Sequence, residues 1–289
     1  MGTFETRQKT CSFACPSVFA SPRVNAGNWK FSGTKRSFGA RASLRGIGLG
    51  LCLLWWAGSM VTASAADSTG LGRAQANFAE RQTSYRKQPE NVQSAWQYAQ
   101  ACFELADFAT NRSQRAELAE QGIGACRQGL ARESNSPPLH YYLGLNLGQL
   151  ARTRMLGALR LVNEMEKEFT TASQLNSNLD YAGPDRALGL LYRDAPTFGS
   201  IGNRSKARER LQRAFESAPQ FPENGLILIE SELKWSDRSA ARLNLKKLEE
   251  RLPKAREEFS GATWTDSWAD WDGRLTNLRK TLDDSEARH

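Results

Sequence analysis

The chain has 289 residues, 40% of them hydrophobic, with a formal net charge of +8 and a pI near 9.4. A basic excess of that size ordinarily points to nucleic acid, but its placement excludes that partner. Residues 1–65 hold Arg7, Lys9, Arg23, Lys30, Lys35, Arg36, Arg41 and Arg45 against Glu5, and the remainder, with 31 basic and 30 acidic residues, is nearly neutral.

The first segment, 1–65, reads as a leader. Lys35, Arg36, Arg41 and Arg45 form a positive stretch, Ile47 to Val61 an apolar run, and Ala63-Ser64-Ala65 a small-x-small cleavage site. The run is about 15 residues, short of the roughly 20 that a spanning helix needs. Export to the periplasm with cleavage near Ala65 is therefore expected, and no membrane span thereafter. Cys52 follows Leu49-Gly50-Leu51, and leucine directly before the cysteine makes a poor lipoprotein box, so no lipid anchor is expected. The Ser-rich, acid-poor residues 1–33 are too long for a signal peptide. They read as a start codon placed too far upstream, or as a transit sequence ahead of a second signal.

From residue 66 on, the pattern is helix after helix, an all-α chain. A first helix is expected over Leu71–Arg86, ending before Pro89 and covering the open end of a stack. Trp96, Ala99 and Phe103 make an apolar stripe on a helix over Asn91–Ala106. Its partner spans Gln114–Arg132, with Gly122, Cys126 and Gly129 at small-residue positions. Cys102 and Cys126 fall on the two helices of this hairpin, where an oxidising compartment would bond them; two buried thiols are the other reading. After Asn135-Ser136-Pro137 a second hairpin carries Leu143-Gly144 and Leu147, then a long helix over Thr153–Leu175 whose Glu164, Glu166 and Glu168 read as a solvated face. Gly183-Pro184 opens a third, with proline in the first helical turn, Leu188-Gly189 and Tyr192 on one helix and Arg204–Ser217 as the other. A fourth opens at Pro222. Its Leu226-Ile227-Leu228-Ile229 run reads as buried helix, and its second helix, Ala240–Leu252, stops at Pro253.

Small residues that let two helices approach, followed by large ones that fill the gap, are the packing pattern of tetratricopeptide (TPR) hairpins. The steps from Ala99 to Leu143, Leu188 and Leu228 are 44, 45 and 40 residues, against a standard period of 34. The surplus falls between the helices of each pair, at Asp107–Ser113, Arg152–Leu159 and Asp194–Asn203. Insertions repeated at one point of a hairpin emerge along one edge of a solenoid, often its binding side.

The stretch Asp180-Tyr-Ala-Gly-Pro-Asp-Arg186-Ala-Leu-Gly189-Leu-Leu-Tyr192, with Ala195-Pro196 and Gly199-Ser-Ile-Gly202-Asn-Arg-Ser-Lys-Ala207, resembles the T-component (TatT) family of tripartite TRAP transporters. The resemblance is good over Ser136–Leu233 and elsewhere extends by helix pattern. It implies an exported helical protein that associates with a periplasmic substrate-binding protein and oligomerises around a pore.

Three candidate sites follow. The Pro196–Asn203 loop, with Gly199, Gly202 and Asn203, precedes a helix N-terminus that favours anions; the alternative is that its glycines close a wide turn through positive φ. Arg186 and Arg193 are placed to clamp a partner carboxylate from the concave face, or to pair internally with Asp180 or Asp185. Trp264, Trp268 and Trp271 share one helical face, as a core seal or a partner interface. The expected function is a non-enzymatic scaffold for a protein partner, with a carrier of a small apolar or anionic ligand as the alternative. Against a hydrolase, the chain lacks GxSxG and HExxH, and its one interior histidine is His140. Without CxxC spacing a zinc site is not expected either, and no cofactor is.

Overall fold

The computed structural model describes residues 70–154 and 157–283. The leader, Cys52 and the Ala63-Ser64-Ala65 site lie outside the described residues. Ten α-helices run through the described residues: α1 (Gly70–Lys87), α2 (Val92–Asp107), α3 (Arg112–Leu130), α4 (Pro137–Ala151), α5 (Ala158–Leu175), α6 (Gly183–Asp194), α7 (Arg204–Ser217), α8 (Pro222–Lys234), α9 (Arg238–Glu258) and α10 (Thr265–Asp283). A short 3₁₀ turn, Ala262–Trp264, leads into α10.

Helix starts follow local chemistry. Asn91, Asn111, Asn203 and Asp237 each accept from the backbone N–H three residues on, satisfying a donor that the first turn leaves unpaired. Proline occupies the first turn of α4, α6 and α8, where its missing N–H is no loss.

The pairs α2/α3, α4/α5, α6/α7 and α8/α9 form four antiparallel hairpins. Each packs on the next through α3–α4, α5–α6 and α7–α8, while α1 covers α2 and α10 covers α8. This is the TPR-like solenoid that the small-residue pattern predicts. The small positions carry it. A Cβ on Gly189 would lie 2.5 Å from Leu211 Cδ2, and one on Gly144 2.5 Å from Phe169. Two cores result. One joins the first two hairpins to α6 through residues such as Leu147, Phe169 and Leu188. The other joins α7 to α10 around Phe221, Leu226, Phe259 and Trp271. Leu226 to Ile229 are buried in helix, as expected. Ion pairing of Arg73 with Asp266 brings the first and last helices together.

Two boundaries differ from expectation. Helix α5 begins at Ala158 and not at Thr153, and Gly157 just before it takes a left-handed φ of +80°. Pro253 lies inside α9 and does not stop it. Ala255 and Phe259, both 1% exposed, anchor the segment beyond it in the core and offset the one lost hydrogen bond.

Candidate functional site

Arg186 is not on the concave surface. Asp180, Tyr181 and Ala182 all take left-handed backbone angles (φ 49°, 53° and 63°), a costly turn for non-glycine residues. Arg186 reaches back under it. Its Nη1 donates to the carbonyls of Asp180 (3.3 Å) and Tyr181 (3.1 Å) and to Asn224 Oδ1 (2.9 Å), and its Nη2 to Asp180 Oδ2 (2.9 Å). Tyr141 Oη donates to the same carboxylate at 2.7 Å, and Asn224 Nδ2 to Tyr181 O at 2.9 Å. Arg186 is 1% exposed. Burial raises the Asp180 carboxyl above its ordinary range, with the Arg186 charge opposing. The arginine is thus a structural brace for a strained turn, and the internal pairing with Asp180 is the one realised.

Arg193 is likewise internal. It forms a two-pronged pair with Asp194 (2.9 and 2.7 Å) and donates to Ser231 Oγ at 3.0 Å, with its side chain 3% exposed. A partner carboxylate reaches neither guanidinium.

The Pro196–Asn203 loop uses the two N–H groups at its base internally. Gly202 N donates to Pro196 O (3.0 Å) and Asn203 N to Tyr192 O (2.9 Å), while Asn203 Oδ1 caps Lys206 N (2.9 Å). Gly199 has φ +73°, and a Cβ on Gly202 would stand 2.1 Å from Ala195 O. The glycines close the turn, and no anion cradle remains at Gly202 or Asn203.

Trp264 and Trp271 are 4% and 0% exposed, and Trp268 is half-buried. They pack with Tyr181, Phe221 and Phe259 in a cluster of edge-to-face and stacked rings. Trp271 Nε1 donates to Glu223 (2.8 Å) and Trp268 Nε1 to Phe259 O (2.7 Å). The indoles seal the stack: Trp264 sits in the 3₁₀ turn and not on α10 with the other two, and Phe221 before α8 and Phe259 after α9 cover Trp264 and Trp271, so the surface reading fails for these two.

Cys102 and Cys126 are free and buried. They face different neighbours, Cys102 packing with Tyr98 and Ala125 and Cys126 entering the main core. Burial pushes the Cys102 thiol up to about 12, far from a reactive thiolate. Glu168 is also buried, against His140 (2.5 Å), so this part of α5 is not a solvated face.

The open site lies elsewhere, between α1 and α3 over α2. A groove of about 630 Å³ is lined by the apolar Phe78, Leu105 and Leu118, the glutamines Gln82, Gln114 and Gln121, and Glu117. It continues into a second trough of about 320 Å³ past Gly124, Ala125 and Gln128. Tyr98, Gln121 and Arg86 belong to both. Tyr98 Oη donates to Gln121 (2.5 Å) and accepts from Gln82 Nε2 (3.2 Å), and burial raises its hydroxyl to about 12. Exposed Arg86 makes no ion pair with the described residues. A Cβ on Gly124 meets nothing within 4 Å. The available sequence signal was the run of glutamines at helical spacing (Gln114, Gln121, Gln128) beside Gly124.

On α2, Glu104 makes no ion pair among the described residues. Its carboxylate accepts from Gln100 (2.9 Å) and Asn77 (3.0 Å), and burial lifts it to about 7. Among the described residues no cluster of three or more His, Cys, Asp or Glu side chains could hold a metal, and no helix is long and apolar enough to cross a membrane.

The hairpin array defines the class of protein as a TPR-like helical repeat. A solved structure agrees: the chain is similar to TTC0263, a thermophilic TPR protein in Thermus thermophilus. The TM-score is 0.53 at 18% identity, covering 71% of this chain and 92% of that one. At that identity the likeness shows the fold alone. A sequence profile of the family RMD1-3, regulator of microtubule dynamics protein 1-3, matches residues 64–182, less than half of the chain. No curated protein matches the sequence. The profile match includes the groove and stops at Ala182. The transporter resemblance overlaps it over Ser136–Ala182, and most of the Asp180–Ala207 motif lies beyond it.

Proposed function

We propose that the chain is a non-enzymatic scaffold that holds a segment of a protein partner in the groove between α1 and α3. The observation that carries this reading is the groove itself, two troughs that share Arg86, Tyr98 and Gln121, with apolar residues, glutamines and the charged Arg86, Glu117 and Glu120 in their lining. Carboxamides both donate and accept, so they match the alternating N–H and C=O groups of a peptide backbone, while Phe78 and Leu118 receive its apolar side chains. A second reading, a carrier of a small anionic ligand, is favoured by Arg86, which borders both troughs and makes no ion pair among the described residues, and is opposed by Glu117 and Glu120 in the same lining. We further propose that the scaffold is exported and acts beside a periplasmic substrate-binding protein. The leader sequence and the Asp180–Ala207 motif support that step.

Gly124→Leu tests the groove. The side chain enters open space on α3, so it fills the trough and adds about 0.5–1 kcal/mol of helix stability. A photo-crosslinking residue at Gln121 should capture the partner, one at exposed Arg213 should not, and Gly124→Leu should abolish capture. Capture through Arg213 alone, or undiminished capture by Gly124→Leu, overturns the assignment. Absence of the protein from the periplasmic fraction overturns the proposed export step, and an N-terminus of the exported chain before Asp67 overturns the cleavage site.

A further inference from the structure

On the edge that carries the loops within hairpins, Phe198 is 97% exposed and Leu159 51%. Phe198 does not owe this to a loose loop. Gly202 N and Asn203 N close the loop base by hydrogen bonds, and Ile201, three residues on, packs against the core. Between that fixed base and Pro196 the aromatic ring is held out in water, at a cost that folding onto the body would have removed.

The two loops themselves carry only basic charge. The charged residues from Arg152 to Arg160 are Arg152, Arg154 and Arg160, and those from Ala195 to Ala207 are Arg204 and Lys206, in a body that is otherwise close to balance. Of the acids around them, Asp194 is taken by Arg193 and Lys234, Asp107 pairs with Arg152, Glu120 with Arg154 and Glu164 with Arg127, and Glu166 stands 3.9 Å from Lys206. Arg154 and Lys206 keep more than half of their side-chain surface open, and Arg160 is exposed. The two tips share an edge, because Tyr192 Oη donates to Glu166 at 2.6 Å and Lys206 lies 3.9 Å from the same carboxylate, tying the loop end of α6 and α7 to α5.

We propose that this edge is a peripheral docking site for an anionic bilayer surface, with Phe198 and Leu159 entering the headgroup layer and Arg160, Arg204 and Lys206 meeting lipid phosphates. A protein interface needs a contiguous desolvated centre. Here the exposed apolar residues are single side chains on two different hairpins with cations beside them. That arrangement suits a plane of lipid, whose acyl boundary takes isolated apolar side chains and whose charge attracts nearby cations. The site is separate from the α1–α3 groove and does not depend on its reading.

Co-sedimentation of the purified protein with vesicles tests it, using phosphatidylcholine alone and phosphatidylcholine with about a third phosphatidylglycerol. The protein should pellet with the anionic vesicles and less so as salt rises. Phe198→Ser, a change in a side chain that touches nothing, should weaken binding by about tenfold. Arg160→Glu with Lys206→Glu should weaken it by at least about tenfold. A polarity-sensitive dye on Phe198→Cys, in a chain with Cys11, Cys15 and Cys52 replaced by serine, should shift to the blue with anionic vesicles; Cys102 and Cys126 are buried and will not compete for it. Gly124→Leu should pellet like the wild type. Equal binding to both vesicle types, no binding to either, or undiminished binding by Phe198→Ser would overturn the proposal. So would loss of a protein partner in Phe198→Ser with vesicle binding kept, which would give the tip to that partner.

Discussion

Asp180 and Arg186 show how far a side chain's role depends on what folds over it. The carboxylate and guanidinium are both nearly fully buried and hold three consecutive left-handed residues. Removing one member of such a pair leaves the other uncompensated, typically at 3–5 kcal/mol. Arg186→Ala is therefore expected to lower stability by about that amount, seen as a large fall in the urea midpoint; an unchanged midpoint would deny the brace. Glu104 gives the opposite lesson, a carboxylate with amide donors and no ion pair among the described residues. Its folded-state value, about 7, lies above the ordinary 4.5, so the folded chain holds a proton that the unfolded chain releases between those values. The stability this group contributes is full below about pH 4.5 and is lost as pH rises to about 7. Glu104→Gln should be more stable than wild type at pH 8 by about 1–2 kcal/mol and should match it near pH 4.5. Parallel pH profiles of unfolding for the two proteins would refute the assignment.

At the level of elements, the hairpins depend on glycines at helix crossings. Gly189 on α6 meets Leu211 of α7, with the Leu211 backbone nitrogen 3.1 Å from where a Cβ would stand. Backbone cannot move aside as a side-chain tip can, so Gly189→Leu should destabilise by about 1–3 kcal/mol or more. A melting temperature equal to wild type would place the crossing elsewhere. The repeat register was legible in the sequence for this reason: a small residue that must face a neighbouring helix leaves a mark at fixed spacing. The Arg186, Arg193 and tryptophan assignments were not legible in the same way. Periodicity states which residues share a face of a helix, but not whether another element covers that face. For Trp264 and Trp271 the cover comes from α8, α9 and the turn at Phe259, up to 50 residues away in sequence.

In the whole molecule, two cores in series make stability a nearest-neighbour property, as in other repeat arrays. Trp271, fully buried and bonded to Glu223, belongs to the second core. Trp271→Ala should cost about 3–5 kcal/mol and strip hydrogen-exchange protection from α8, α9 and α10 before α2 to α5. Uniform loss across all ten helices would show one cooperative unit instead. The sequence by itself determined the helical class, the four hairpins and nearly all of their boundaries, because caps, prolines and small-residue spacing act within one or two turns of chain. Tertiary structure alone decided which polar groups remained open to a partner. The arginines and indoles with the strongest local signature were consumed inside the fold. The open groove was assembled from ordinary glutamines on α1 and α3 that become a surface only when α2 holds those helices apart.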